Sequence, residues 1–149
     1  MDVQTKVSAV MTKEVISIHT QDAMTKVAVL FRTHRIHHLP VVDDDNKVLG
    51  IVSKEDYLLL CDHFTMFKKE KEEELNQRFL SSLIVKDIMT KQVSTLHQDD
   101  PVALAVGIFK ENLFKALPIV NDDQKLVGIL TTYDLLNFAF HEPLKQLLV

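Results

Sequence analysis

Glycine is scarce in this 149-residue chain, with three, and cysteine scarcer still, with one. A single thiol, Cys61, cannot close an intramolecular disulfide, so a reducing compartment is expected. It lies in the apolar run Leu58-Leu59-Leu60-Cys61, which reads as a buried helix position rather than a nucleophile. A basic excess is also lacking: the net charge is −4, which argues against broad nucleic-acid binding. No signal-peptide pattern opens the chain, and no apolar run approaches the roughly 20 residues of a membrane span, so a cytoplasmic protein is expected. G-x-S-x-G, H-E-x-x-H and the Gly-rich phosphate loop are all missing, so no catalytic residue is assigned and the chain is not expected to be an enzyme. Histidines are densest at His34, His37 and His38, without zinc-type spacing. Asp43-Asp44-Asp45 lacks the central Gly and later Glu of a calcium loop and reads as a solvated turn. No metal and no cofactor are expected.

What the chain does have is a repeat. Met11-Thr12-Lys13 returns as Met89-Thr90-Lys91, 78 residues later. The same register, without a gap, aligns His19 with His97, Asp22 with Asp100, Phe31 with Phe109 and Leu39-Pro40 with Leu117-Pro118. It also aligns Gly50-Ile51-Val52-Ser53 with Gly128-Ile129-Leu130-Thr131, and Asp56 with Asp134. A constant register over so long a stretch identifies a tandem duplication.

Each copy predicts the order β-α-β-β-α, an α+β fold. Val15 to Ile18 and Val93 to Leu96 read as short β-branched strands, with His19 and His97 in the turns after them. Asp22 and Asp99-Asp100-Pro101 read as helix starts, Pro101 within the first turn. Val27, Leu30 and Phe31 form the apolar stripe of one helix, and Leu104, Ala105, Ile108 and Phe109 that of its twin. Gly107 interrupts the latter, where close packing against a neighbour is expected. Pro40 and Pro118 are expected at a strand start or sheet edge. Lys47 to Val52 and Lys125 to Leu130 are hairpin return strands, leading into helices from Lys54 and Thr132. Repeat 1 spans 7–66, a charged helical linker 67–84, repeat 2 85–142 and an apolar tail 143–149, with Pro143 expected to interrupt the last helix. The linker is expected to extend the second helix, with Lys68–Glu72 and Lys69–Glu73 paired at i,i+4 and Leu75, Phe79, Leu80 and Leu83 following.

A hydroxyl three residues before an acid at a helix start suits two roles. It can cap the helix, or hold a hydroxylated, phosphorylated ligand there. Both Ser53/Asp56 and Thr131/Asp134 have this form.

The pattern Met-Thr, Val-x-Ser/Thr, Leu-Pro-Val-Val-Asp-Asp and Gly-Ile-Val-Ser-x-x-Asp resembles the CBS (cystathionine β-synthase) domain, and two in tandem resemble a CBS pair, or Bateman module. The resemblance covers nearly the whole chain. It implies two repeats packed through three-stranded sheets about a pseudo-twofold axis, and pairing into a homodimer. It implies a regulatory module, acting on a protein partner, that binds an adenine nucleotide (AMP, ADP or ATP) in clefts between repeats. A ligand-free dimeric scaffold, or a binder of another adenosyl ligand such as S-adenosylmethionine, is the alternative. Asp56 and Asp134 would then accept the ribose hydroxyls, and Ser53 and Thr131 would contact phosphate. Ile16 and Ser94 would contact the base. The run Arg35-Ile36-His37-His38-Leu39-Pro40 is similar to one in γ regulatory subunits of AMP-activated kinases, where two basic residues before Leu-Pro meet phosphate. His37 and His38 stand there, before Pro40, in repeat 1, and Lys115 and Ala116, before Pro118, in repeat 2. The phosphate end is therefore expected to be stronger in the first repeat.

Overall fold

The computed structural model describes residues 1–62 and 69–147. They form two compact units of mixed α+β structure, one of residues 16–93 and one of residues 1–15 with 94–149. The unit boundaries are offset from the sequence repeats. The opening residues of each repeat, which contain Met11-Thr12 or Met89-Thr90, fold with the unit built by the rest of the other.

Unit 16–93 contains β1 (Ile18–His19), α1 (Met24–Thr33), β2 (His38–Val42), β3 (Val48–Ser53), α2 (Lys54–Asp62), α3 (Lys69–Ser82) and α4 (Val85–Ile88). Its sheet has the order β1-β2-β3, with β1 parallel to β2 and β3 antiparallel. The other unit contains β4 (Leu96–His97), α5 (Val102–Lys110), β5 (Ala116–Val120), β6 (Leu126–Thr131) and α6 (Thr132–Leu147). Its sheet repeats the topology as β4-β5-β6. Of the stripe expected on α1, Val27 and Phe31 are buried against Ile18, Leu39, Val41 and Val52 and Leu30 is half-buried beside them; Met24 and Leu80 of α3 join this core. In the other unit Val102 and Ala105 pack with Leu96, Leu117, Ile119 and Leu130, and Val7 of the N-terminal arm completes the cluster.

Pro40 and Pro118 depart from expectation, because each sits in the middle of the central strand of its sheet. The ladder geometry explains why this is tolerated. Pro40 lies opposite Ile51, whose N–H and C=O both turn outward to Thr90 (3.1 and 2.9 Å). Pro40 therefore occupies a non-hydrogen-bonded pair, and its ring nitrogen faces β1 instead. There β1 pairs only with Val41 and Val42, so no acceptor is left waiting. Pro118 opposite Ile129, which bonds Thr12, repeats the arrangement. The same absence of an N–H ends the parallel ladder early. The first strands are two residues long rather than the four expected, and they take in His19 and His97.

Asp22 and Asp100 do not cap their helices. Each carboxylate accepts from the backbone N–H of the histidine three residues earlier, at 2.8 Å, closing a turn. The helix starts are satisfied instead by backbone carbonyls packed against them: Met24 N–H donates to Leu83 O just after α3, and Val102 N–H to Thr5 O in the N-terminal arm (3.0 and 2.8 Å). Pro101 is the N-cap of α5, not its first turn. Gly107 is exposed and an added Cβ there would touch nothing within 4 Å, which overturns the expected close packing. α6 continues through Pro143 to Leu147. The missing N–H removes one bond close to the helix end, and the helical path outlasts it. The side-chain packing of the apolar tail 143–149 lies outside the described residues, as do the pairs Lys68–Glu72 and Lys69–Glu73 and the junction between α2 and α3. On α3 itself Glu74 and Arg78 form an i,i+4 pair at 3.0 Å.

Candidate functional site

The β3–α2 junction is a short hydrogen-bonded frame. Ser53 Oγ donates to Asp56 Oδ2 (2.7 Å) and accepts from the Asp56 N–H (3.1 Å), while the Ser53 N–H reaches the same carboxylate oxygen at 3.3 Å. The β6–α6 junction repeats it: Thr131 Oγ1 donates to Asp134 Oδ2 at 2.6 Å and accepts from its N–H at 3.2 Å, and the Thr131 N–H donates at 2.7 Å. These are reciprocal capping boxes, with the acid near the positive end of the helix dipole. All four side chains are half-buried, so each frame can also meet a ligand.

In the first unit some of the expected residues lie on neighbouring strands. His38 lies directly opposite Ser53 across β2 and β3, and the His37 carbonyl accepts from the Lys54 N–H at 2.8 Å. The loop carrying His37 is thereby tied to the first turn of α2. Pro40 is buried two residues further along β2, and Ile16 is half-buried just before β1. In the second unit Ala116 lies opposite Thr131, the Lys115 carbonyl accepts from the Thr132 N–H at 3.3 Å, Pro118 is buried and Ser94 is half-buried before β4.

Sequence reasoning used Met11-Thr12 and Met89-Thr90 as marks of the repeat and of the family pattern, with no place at the site, yet they abut the frames. Thr12 and Ile129 exchange backbone hydrogen bonds (2.9 and 3.0 Å), adding a one-residue bridge to the outer edge of β6; Thr90 does the same to Ile51 of β3. Thr12 Oγ1 continues to Asp134 Oδ1 at 3.3 Å, a bond the equivalent Thr90 and Asp56 do not make. The approach of these arms explains two of the three glycines. A Cβ on Gly50 would lie 2.7 Å from Thr90 O, and one on Gly128 would run into the Met11 side chain. Neither glycine has a positive φ, so their role is to make room. The recurrence of Met-Thr and Gly-Ile in one register was the available signal for this approach.

The arm of the second unit carries one further tie. Lys6 Nζ pairs with Asp99 Oδ1 at 2.7 Å, and that hydrogen bond, aided by the charges of Lys6 and His97, holds the Asp99 carboxyl below its ordinary range against the opposing desolvation. His97 Nε2 lies 2.7 Å from Asp122. The acidic turns hold no clustered ligands: Asp43 Oδ1 accepts from the Asp45 and Lys47 N–H groups at 2.9 Å, closing its own loop. Among the described residues no group of three or more His, Cys, Asp or Glu side chains could hold a metal ion. Nor is any helix of the described residues long and apolar enough to cross a membrane. Cys61 is half-buried against the core of the first unit, beside Tyr57.

Comparison with known proteins gives a consistent result. A family model described as the CBS domain matches residues 7–62 and 85–141. Inosine-5'-monophosphate dehydrogenase of Methanocaldococcus jannaschii is 31% identical over 131 residues, which are 88% of this chain but 23% of that enzyme. The chain thus spans less than a quarter of that relative's length. The CBS domain pair of protein MJ0100, solved in complex with 5'-methylthioadenosine and S-adenosyl-L-methionine, is similar with a TM-score of 0.72 and 26% identity, over 93% of this chain and 98% of that one. CBSX2 of Arabidopsis thaliana, solved in complex with AMP, gives 0.74 and 25% over 93% and 98%.

Proposed function

The chain belongs to the CBS domain family, and from that membership and its two hydroxyl–carboxylate frames we propose that it is a non-catalytic regulatory module that binds an adenine nucleotide and modulates a protein partner. The observation that carries this reading is the first frame. A carboxylate acceptor for ribose hydroxyls and a serine stand there at a helix start, with His38 opposite Ser53 on the neighbouring strand and the His37 carbonyl bonded to the Lys54 N–H. The AMP complex of CBSX2 and the adenosyl complexes of MJ0100 support the ligand class. In this reading Ser53 and His37–His38 address phosphate, Asp56 the sugar and Ile16 the base, with Ser94, Lys115, Thr131 and Asp134 in the equivalent places of the second unit. The module works as a cytoplasmic homodimer: Tyr133, Leu136 and Phe140 form an i, i+3, i+7 stripe on α6, each at least half exposed, for which burial against a second copy is the natural use.

The test is calorimetric titration and thermal unfolding of the chain with AMP, ADP, ATP and S-adenosylmethionine. A ligand at 100 times its dissociation constant stabilises the folded chain by about 2.7 kcal/mol. Asp56→Ala is expected to abolish the AMP response. Absence of a response to every one of these ligands sinks the sensor reading and leaves the scaffold, while turnover of nucleotide during incubation overturns the non-catalytic assignment.

A further inference from the structure

The first unit carries a concavity apart from the two frames. From its lining we infer that the cleft between α1 and α2 is a binding site for a small organic carboxylate with a compact apolar body. The inference is independent of the proposed nucleotide binding, since neither Ser53 nor Asp56 lines this cleft.

The cleft has a volume of about 230 Å³ and is lined by Ala28, Phe31 and Arg32 of α1 and by Lys54 and Tyr57 of α2. Spacing explains the grouping: the α1 residues stand at i, i+3 and i+4 and the α2 residues at i and i+3, so each helix contributes one face. The walls are set in the absence of ligand. Phe31 belongs to the core, and its ring centroid lies 5.7 Å from that of Tyr57 at an interplanar angle of 36°. Tyr57 is half-buried, and its hydroxyl is hydrogen-bonded with Cys61 one turn further along α2. The Lys54 N–H donates to the His37 carbonyl at 2.8 Å, which fixes the start of α2. Two cations thus stand at a cleft whose remaining lining is apolar or aromatic, and the charge of Arg32 reaches the Tyr57 phenol. Among the described residues no carboxylate forms an ion pair with either cation.

That composition selects a ligand by chemistry. A carboxylate offers two acceptor oxygens to a guanidinium fork and an ammonium, and charge-assisted bonds of this kind are the strong ones. An apolar body on the same molecule rests against Ala28 and the two rings, where burying apolar area is favourable. An inorganic anion would lose water against the same carbon surface without compensation. Size sets the upper limit. The cleft is smaller than the roughly 300–1,000 Å³ of pockets that hold drug-sized ligands, so it takes a single ring or a short branched chain rather than a nucleotide. The second unit does not repeat this lining. α5 and α6 begin at the residues equivalent to the starts of α1 and α2, and the corresponding positions are Val106, Phe109, Lys110, Thr132 and Leu135, with one cation and no phenol.

The test titrates benzoate into the isotope-labelled whole chain and follows amide chemical shifts by NMR, with circular dichroism melts to check that each variant is folded. Benzoate should give saturable shifts centred on residues 28–32 and 54–57. Benzyl alcohol has the ring without the charge, and inorganic phosphate the charge without the ring; each should bind at least about tenfold more weakly. Arg32→Gln keeps a good helix former at an exposed position, and Lys54→Thr installs the residue that the second repeat carries there. Each should weaken benzoate by about tenfold, the scale of one charge-assisted hydrogen bond, and AMP should not displace it. The inference is overturned if benzoate gives no saturable shifts at these residues, if benzyl alcohol or phosphate binds as well, or if benzoate binds both variants unchanged. Displacement of benzoate by AMP would put both at one site and overturn it too.

Discussion

Alanine at Gly50 and at Gly128 separates two kinds of close approach that look identical in sequence. A Cβ on Gly50 would stand 2.7 Å from the Thr90 carbonyl oxygen and 2.9 Å from Met89 Sδ. That oxygen accepts from the Ile51 N–H at 3.1 Å, and the Thr90 N–H donates back to Ile51 at 2.9 Å, so moving it strains both bonds of the bridge. Losing them costs about 1 kcal/mol each, and crowding a filled site adds about 1–2 kcal/mol. The stiffer unfolded chain returns about 0.4–1 kcal/mol. Gly50→Ala should therefore destabilise by about 2–4 kcal/mol, lowering the thermal midpoint by about 5–15 °C for a chain of this size. At Gly128 the obstacle is Met11, whose Cγ and Cε would lie 2.9 and 3.0 Å away. A methionine side chain can swing aside, so Gly128→Ala should cost about 1–2 kcal/mol. Urea unfolding of a double-mutant cycle makes the distinction: Met11→Ala should absorb most of the Gly128→Ala penalty, whereas Met89→Ala should leave much of the Gly50→Ala penalty in place. If Gly50→Ala costs no more than Gly128→Ala, or if Met89→Ala erases its effect, the backbone carbonyl is not the obstacle.

Other outcomes follow from the same geometry. Ser53→Ala and Thr131→Ala should each cost about 1 kcal/mol in urea unfolding, the worth of an N-cap, whether or not ligand is present. Gly107→Ala, in an exposed helix interior with open space around it, should stabilise by about 0.5–1 kcal/mol; destabilisation there would mean that something covers α5. Burial and the hydrogen bond with Cys61 push the Tyr57 phenol from 10.0 to about 12. The folded chain therefore keeps a proton that the unfolded chain releases between those values, so this contribution is complete below pH 10 and fades as pH climbs toward 12. Equilibrium unfolding across about pH 9–12 should show a shallower loss in Tyr57→Phe, which keeps the ring 5.7 Å from Phe31. For Asp22, burial raises the carboxyl, but the Lys26 hydrogen bond, the His19 N–H and the nearby positive charge outweigh it and leave it lowered. Lys26→Met should accordingly remove a stabilisation that is complete above the ordinary carboxylate value of 3.8 and fades as pH falls below it, read as a higher midpoint in acid titration.

Element type and order were legible because the hydrophobic periods are clean and each is stated twice, once per repeat. What sequence misleads on here concerns backbone groups. Pro40 suggests an edge because a missing N–H is costly only on one side of a ladder, and sequence does not say which side that N–H would face. That side is fixed by the outward pairing of Ile51 with Thr90, a contact 39 residues away in sequence and invisible to periodicity. The same holds for Asp22 and Asp100. Their spacing from the helix stripe fits an N-cap, but the orphan donors of α1 and α5 are already taken by carbonyls of Leu83 and Thr5, leaving the carboxylates to close turns. Gly107 shows the opposite error, a tight contact inferred where there is open space. Ser53 with Asp56, and Thr131 with Asp134, are legible as pairs because an i,i+3 frame is local. Thr12 and Thr90 are not legible as neighbours of the frames because their proximity depends on the exchange of arms.

Capping and ligand binding first look like rival explanations of the serine–aspartate spacing, but the geometry makes one prepare the other. In the first frame every bond from Ser53 falls on Asp56 Oδ2, and among the described residues Oδ1 receives none. The carboxylate is therefore held at a fixed angle by the helix start, with one oxygen spent on the cap and one available. Binding a sugar hydroxyl at Oδ1 would require no further ordering of that side chain, and such ordering is among the larger costs of recognition. The second frame is held as firmly, yet its outer oxygen already carries the Thr12 hydroxyl, so a ligand there must share or displace that donor. Equal caps can thus be unequal sites. The discriminating features are the donor from the exchanged arm and the residue across the strand pair, His38 in one unit and Ala116 in the other.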